Sequence, residues 1–103
     1  MKTIGLRVSD ESLKERIDNL CVDALDKWGQ PLQQEVAAEE CLELAHAILK
    51  LKRGFTKERF CNFQEEIVDV LIMIVQCGIM ADLDGLDYWF EKKADKLENA
   101  LKE

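Results

Sequence analysis

VAAEECLELAHAILKLKR (Val36–Arg53) and FQEEIVDVLIMIVQCGIM (Phe63–Met80) decide how this chain folds. Place each on a helical wheel at about 100° per residue. In the first, Val36, Leu44, Ala47 and Leu51 gather on one side, and Glu40 and Glu43 lie among them. Glu39 falls toward the edge of the same face. In the second, Phe63, Val70, Ile74 and Cys77 define the apolar side, with Glu66 in their midst and Asp69 at the margin beside Met73. Residues three apart on a helix point the same way, so each stretch presents a pair of carboxylates along one face.

Working outward, the punctuation predicts two further helices. Leu13, Ile17, Leu20, Cys21, Ala24, Leu25 and Trp28 recur at three- and four-residue steps, the stripe of an amphipathic helix. Ser9 or Asp10 can cap its start, and Gly29 followed by Pro31 ends it. The second helix runs from about Leu32 to Arg53 and stops at Gly54. Thr56 caps the third, with Phe55 and Phe60 placed as a hydrophobic staple. That helix continues to about Met80, Asp82 to Gly85 break it, and a fourth carries Leu86, Phe90, Leu97 and Leu101 on one face. Residues 1–8 are expected to be extended or frayed. Short connections between helices of this length favour antiparallel neighbours, so the expected fold is all-α, a four-helix bundle built as one domain over residues 1–103. The third helix is apolar nearly all round, more than a lone bundle covers. A homo-oligomer, dimer or tetramer, is therefore expected.

Composition narrows the function classes. With 48% hydrophobic residues the chain can build a core. Its net charge of −7 repels polyanions, which argues against long DNA or RNA as a partner. The run Ile67 to Ala81, interrupted only by Asp69, Gln76 and Gly78, is shorter than the roughly 20 residues a bilayer requires. No membrane partner is expected, and the opening residues lack the apolar stretch of a secretory signal. Cys21, Cys41, Cys61 and Cys77 form no Cys-x-x-Cys pair. They read as reduced, buried small hydrophobes, consistent with the cytoplasm.

Acidic residues rarely enter an apolar face unpaired. Crowded together, they raise one another's pKa. Salt bridges to lysines and arginines at a helix interface are one solution. A hard divalent cation such as Mg²⁺, or Mn²⁺ in its place, is the other, since both prefer oxygen ligands. Two acid pairs on the apolar stripes of successive helices favour the cation.

Glu39-Glu40-Cys41-Leu42-Glu43, followed by Glu66-Ile67-Val68-Asp69, resembles the Glu-Glu-x-x-Glu … Glu-x-x-Asp signature of MazG-like proteins, in the all-α nucleoside triphosphate pyrophosphohydrolase superfamily. The likeness takes in Trp28-Gly29 with Gln30, Gln33 and Gln34, then Arg53-Gly54, and the last helix with Lys93, Lys96 and Asn99. It implies a MazG-like helical domain and Mg²⁺-dependent hydrolysis of a nucleoside triphosphate to the monophosphate and pyrophosphate. On that carry-over Glu40, Glu43, Glu66 and Asp69 are metal ligands. Glu39 serves a second metal or positions the attacking water.

Further residues carry two readings each. Lys93 between Phe90 and Leu97 either reaches a phosphate or snorkels. Lys50, Lys52 and Arg53 either reach phosphates or complement the helix dipole. Trp28 either stacks on a nucleobase or continues the first stripe into the core. His46, the only histidine, completes a Glu-x-x-His element with Glu43, but the second histidine of a di-iron bundle is missing. A non-catalytic helical module that binds metal or nucleotide for regulation is the competing function.

Overall fold

The computed structural model describes residues 10–103. The expectations for residues 1–8 and for Ser9 fall outside the described residues. Four helices follow in order, α1 (Glu11–Trp28), α2 (Gln30–Arg53), α3 (Lys57–Met80) and α4 (Leu83–Leu101), with no strand among the described residues. The all-α class is as expected.

Local chemistry fixes each start. Asp10 accepts from the backbone N–H of Ser12 and Leu13, satisfying donors that the first turn of α1 leaves without partners. Thr56 does the same for Arg59 N at 3.1 Å, while Phe55 and Phe60 pack with ring centroids 5.8 Å apart, closing the staple. Arg59 reaches back to donate to the Gly54 carbonyl at 2.8 Å, tying the α2–α3 turn. The α1–α2 junction is tighter than the sequence suggested. Gly29 alone separates the helices, and Pro31 sits in the first turn of α2, where its missing N–H costs nothing. The α3–α4 break is also shorter than expected. It is confined to Ala81 and Asp82, with Asp82 at φ +66° and Gly85 already helical. Aspartate is among the residues that tolerate that region.

Packing centres on α2 and α3, which run antiparallel: Gln33 meets Gln76 early in α2 and late in α3, and Glu40 meets Asp69 further in. The buried apolar residues are mostly small, namely Cys21, Ala37, Ala47, Met73 and Val75. α1 lies against both, with Cys21 Sγ donating to the Ile72 carbonyl at 3.7 Å. The buried side of α3 runs through Met73 and Gln76, while Ile74, expected at the centre of the apolar side, is 36% exposed. Among the described residues α4 touches α3 alone. Its Tyr88, Trp89, Phe90, Leu97 and Leu101 are all more than half exposed, while Leu86 at its start is half-buried, so among the described residues most of the apolar stripe of the fourth helix is uncovered. No helix among the described residues is long and apolar enough to cross a membrane.

Cys21 is buried and Cys77 half-buried, as expected; Cys41 and Cys61 are exposed, correcting the expectation for those two. All four are free.

Gly29 has φ +85° and ψ 154°, a region nearly closed to L side chains, and a Cβ there would meet nothing nearer than Pro31 Cδ at 3.9 Å. Gly29→Ala therefore costs backbone strain alone, about 1–3 kcal/mol. Thermal denaturation should show a melting temperature lower by several degrees; an unchanged value would show that the α1–α2 corner does not depend on this glycine.

Candidate metal centre

Glu40 on α2 and Glu66 and Asp69 on α3 come together, each half-buried, with one carboxylate oxygen of each within 4.8 Å of the others. The antiparallel pairing causes this. Glu40 sits on the side of α2 that carries Val36 and Leu44, and the three-residue step from Glu66 to Asp69 turns both acids of α3 toward it. Glu43, expected as a ligand, is exposed on the next turn of α2 and outside the three-oxygen cluster, yet its charge raises the pKa of both Glu40 and Glu66. Glu39 is exposed and acts on Glu40 in the same sense.

The electrostatics are unresolved by protein groups. Burial, then the charge of Asp69, then those of Glu66, Glu43 and Glu39 push the Glu40 carboxyl above its ordinary 4.5. Burial likewise leads for Glu66, reinforced by Asp69, Glu43 and Glu65 and partly offset by Lys50. Among the described residues no lysine or arginine forms an ion pair with the cluster, and the one ion pair is Lys102–Glu98, on the surface of α4. Glu66 Oε2 is buried with no hydrogen-bond partner.

A divalent cation fits this donor set. All three donors are carboxylate oxygens, the ligand type Mg²⁺ and Mn²⁺ favour. Octahedral Mg²⁺ at about 2.1 Å from each ligand needs oxygens about 3–4.2 Å apart, a small inward adjustment from the observed spacing. Glu40, Glu66 and Asp69 would hold the ion, and Glu43 could join from one turn away.

The remaining predicted residues divide by helix. Trp28 is 54% exposed at the end of α1, with Lys27 Nζ 5.6 Å from its ring centroid. Lys52 and Arg53 are exposed in the last turn of α2, placed to complement its dipole. Lys93, Lys96 and Asn99 are exposed along α4, which meets only α3. His46 is exposed. Sequence reasoning missed the buried pair Gln33–Gln76, joined by a 2.6 Å hydrogen bond between α2 and α3. The signal was there: Gln76 interrupts an apolar run just as Glu66 interrupts an apolar stripe.

Two carboxyls with raised pKa bind protons more readily folded than unfolded, so their protonation stabilises the fold and that gain is lost as pH rises through their folded-state values. Denaturant titrations of EDTA-treated protein should show stability increasing as pH is lowered from neutral toward 4.5, and Glu66→Gln should flatten the trend. Millimolar Mg²⁺ or Mn²⁺ should restore stability at neutral pH to the native chain and not to Glu66→Gln. A metal-free protein insensitive to both pH and Mg²⁺ would contradict this account.

No family model, curated protein or solved structure matches the chain, so these geometric findings carry the functional reading.

Proposed function

We propose that the protein is a divalent-metal-dependent nucleoside triphosphate pyrophosphohydrolase, cleaving a (d)NTP with water to the (d)NMP and pyrophosphate. The observation behind this reading is the convergence of Glu40, Glu66 and Asp69 from two helices, with no cationic side chain among the described residues paired to them. The resemblance of Glu39-Glu40-x-x-Glu43 and Glu66-x-x-Asp69 to MazG-like proteins supplies the reaction class.

The chemistry suits the site. Breaking the bond between α- and β-phosphoryl groups needs positioning and charge neutralisation more than covalent help. A bound Mg²⁺ would supply that neutralisation and draw an anionic phosphate chain to a surface that otherwise repels it. Glu40, Glu66 and Asp69 hold the ion. Glu43 approaches from the adjacent turn, and Glu39 is the group assigned to a second metal or to the attacking water. Lys50, whose charge already acts on Glu66, is a phosphate contact this reading assigns.

Self-association belongs to the same proposal. Tyr88, Trp89, Phe90, Leu97 and Leu101 are exposed on a helix with one neighbour, and a second copy is the cover this reading assigns to them. Lys93, Lys96 and Asn99 share that helix, so their proposed phosphate contacts would be made across the subunit boundary. The competing reading, a metal- and nucleotide-binding module without turnover, draws on the same fact: within one chain, these basic residues lie on a helix packed against α3 alone.

A nucleotide panel with products separated by anion exchange should show pyrophosphate release that requires Mg²⁺ or Mn²⁺. Glu66→Gln or Glu40→Gln should lower the rate about 10²-fold or more, the scale of losing an electrostatic group at a transition state. Orthophosphate as the sole product, or nucleotide binding without turnover, would overturn the reaction. Light scattering should give a mass at least twice the 11.9 kDa chain. Phe90→Glu with Leu97→Glu should reduce that mass to one chain, and a native monomer would remove the assembly.

A further inference from the structure

From Asp87 to Glu103 every residue is exposed, so among the described residues about four turns of α4 gain no burial from the other helices. An unsupported helix of this length is marginal in water, because most helical stability comes from burying an amphipathic face. Phe90, Ala94, Leu97 and Leu101 recur at steps of four, three and four. They form one narrow stripe, the kind of seam that a second helix covers in a coiled coil. Exposure rises from 51% at Phe90 to 63% at Leu97 and 78% at Leu101, so the uncovered part is the end away from α3.

The charges beside this stripe are sorted by sign. On a wheel centred on the four apolar residues, Asp87, Glu91 and Glu98 lie along one edge. Lys93 lies along the other, with Lys96 behind it. That sorting decides what can cover the stripe. When two copies of such a helix face each other in parallel, unlike edges meet, and the lysine edge of each lies on the acidic edge of the other. In an antiparallel pair like edges meet, lysine on lysine and acid on acid. Parallel seams are flanked by salt bridges between the positions bordering the apolar stripe. Here those positions bring Lys93 beside Glu98 of the second copy, and twofold symmetry makes the contact twice. Glu98 meets Lys102 of its own helix through Oε1 at 3.4 Å, which leaves its second oxygen for Lys93.

We propose that α4 pairs in parallel with α4 of a second copy, burying Phe90, Ala94, Leu97 and Leu101 in a two-helix seam flanked by Lys93–Glu98 contacts. The inference rests on the self-association in the proposed function and not on its reaction. It fixes which element pairs and in which direction. Lys93 then serves the seam in place of a phosphate contact, while Lys96 and Asn99 lie further round the helix.

Sedimentation equilibrium of the full-length protein at low salt, over a range of concentrations, tests the pair. Lys93→Glu and Glu98→Lys each set like charges against each other twice. Each should raise the dissociation constant of the association about tenfold or more. The two substitutions together exchange the signs and re-form both contacts, so association should return to the native level. Near 1 M NaCl, where the Debye length falls to about 3 Å, the single variants should approach the native protein. In an antiparallel pair neither reversal would change the signs that meet. Single reversals without effect, or a double reversal that fails to restore association, therefore overturn the parallel pair and leave self-association to another face. A native protein that stays monomeric overturns the pair and the assembly together. Pyrophosphate release from the same samples reports on the reaction separately: its absence from a protein that associates in the expected pattern removes the reaction and keeps the pair.

Discussion

Like charges crowded together in a half-buried seam set the problem around which this molecule is built. Glu40, Glu66 and Asp69 converge between two helices, burial and mutual repulsion raise the carboxyls of Glu40 and Glu66, and one oxygen of Glu66 has no partner at all. A protein interior tolerates this only through proton uptake or a cation. The described residues provide no ion pair to the cluster, and proton uptake weakens as pH rises to neutrality. The α2–α3 turn and the Gln33–Gln76 bond hold α2 and α3 in the register that keeps these groups together.

The register is held at both ends. At one end the Thr56 cap, the Phe55–Phe60 contact and the Arg59 bond to the Gly54 carbonyl fix a short turn. Toward the other, the Gln33–Gln76 bond ties the helices one turn or more beyond the carboxylates. α1 is held against α3 by Cys21 and turns into α2 at Gly29, which sets Trp28 at the edge of the same seam. Metal ligands, amide pair and tryptophan therefore lie in one continuous strip along the helix pair. α4 stands outside it, carrying both the uncovered apolar stripe and the basic residues.

Much of this was legible in the sequence because its signals are local. Helix limits followed from capping residues and from Gly29, Gly54 and Asp82. The acid cluster followed from a three-residue period falling on an apolar stripe. Where reading failed, the cause was tertiary. Glu43 shares the helical face of Glu40, but it is exposed and lies outside the cluster, a difference in burial that the wheel does not encode. Asp69, placed at the margin by the wheel, lies in the cluster because the packed side of α3 is rotated toward Met73 and Gln76. Cys41 and Cys61 lie on helices but off the packed faces, and periodicity alone did not tell their side. The Gln33–Gln76 bond joins residues 43 apart, a pairing no local pattern encodes.

The proposed function joins this seam to a reaction that needs little more than a well-placed cation and a substrate held in line. Water, positioned by a carboxylate, is the attacking group this reading requires. The decisive measurement is anomalous diffraction at the manganese edge from crystals soaked in MnCl₂. The account predicts a peak at about 2.2 Å from oxygens of Glu40, Glu66 and Asp69, at the longer end of hard-cation coordination. A Mn²⁺-soaked crystal with these three side chains directed into solvent and no peak among them would contradict it.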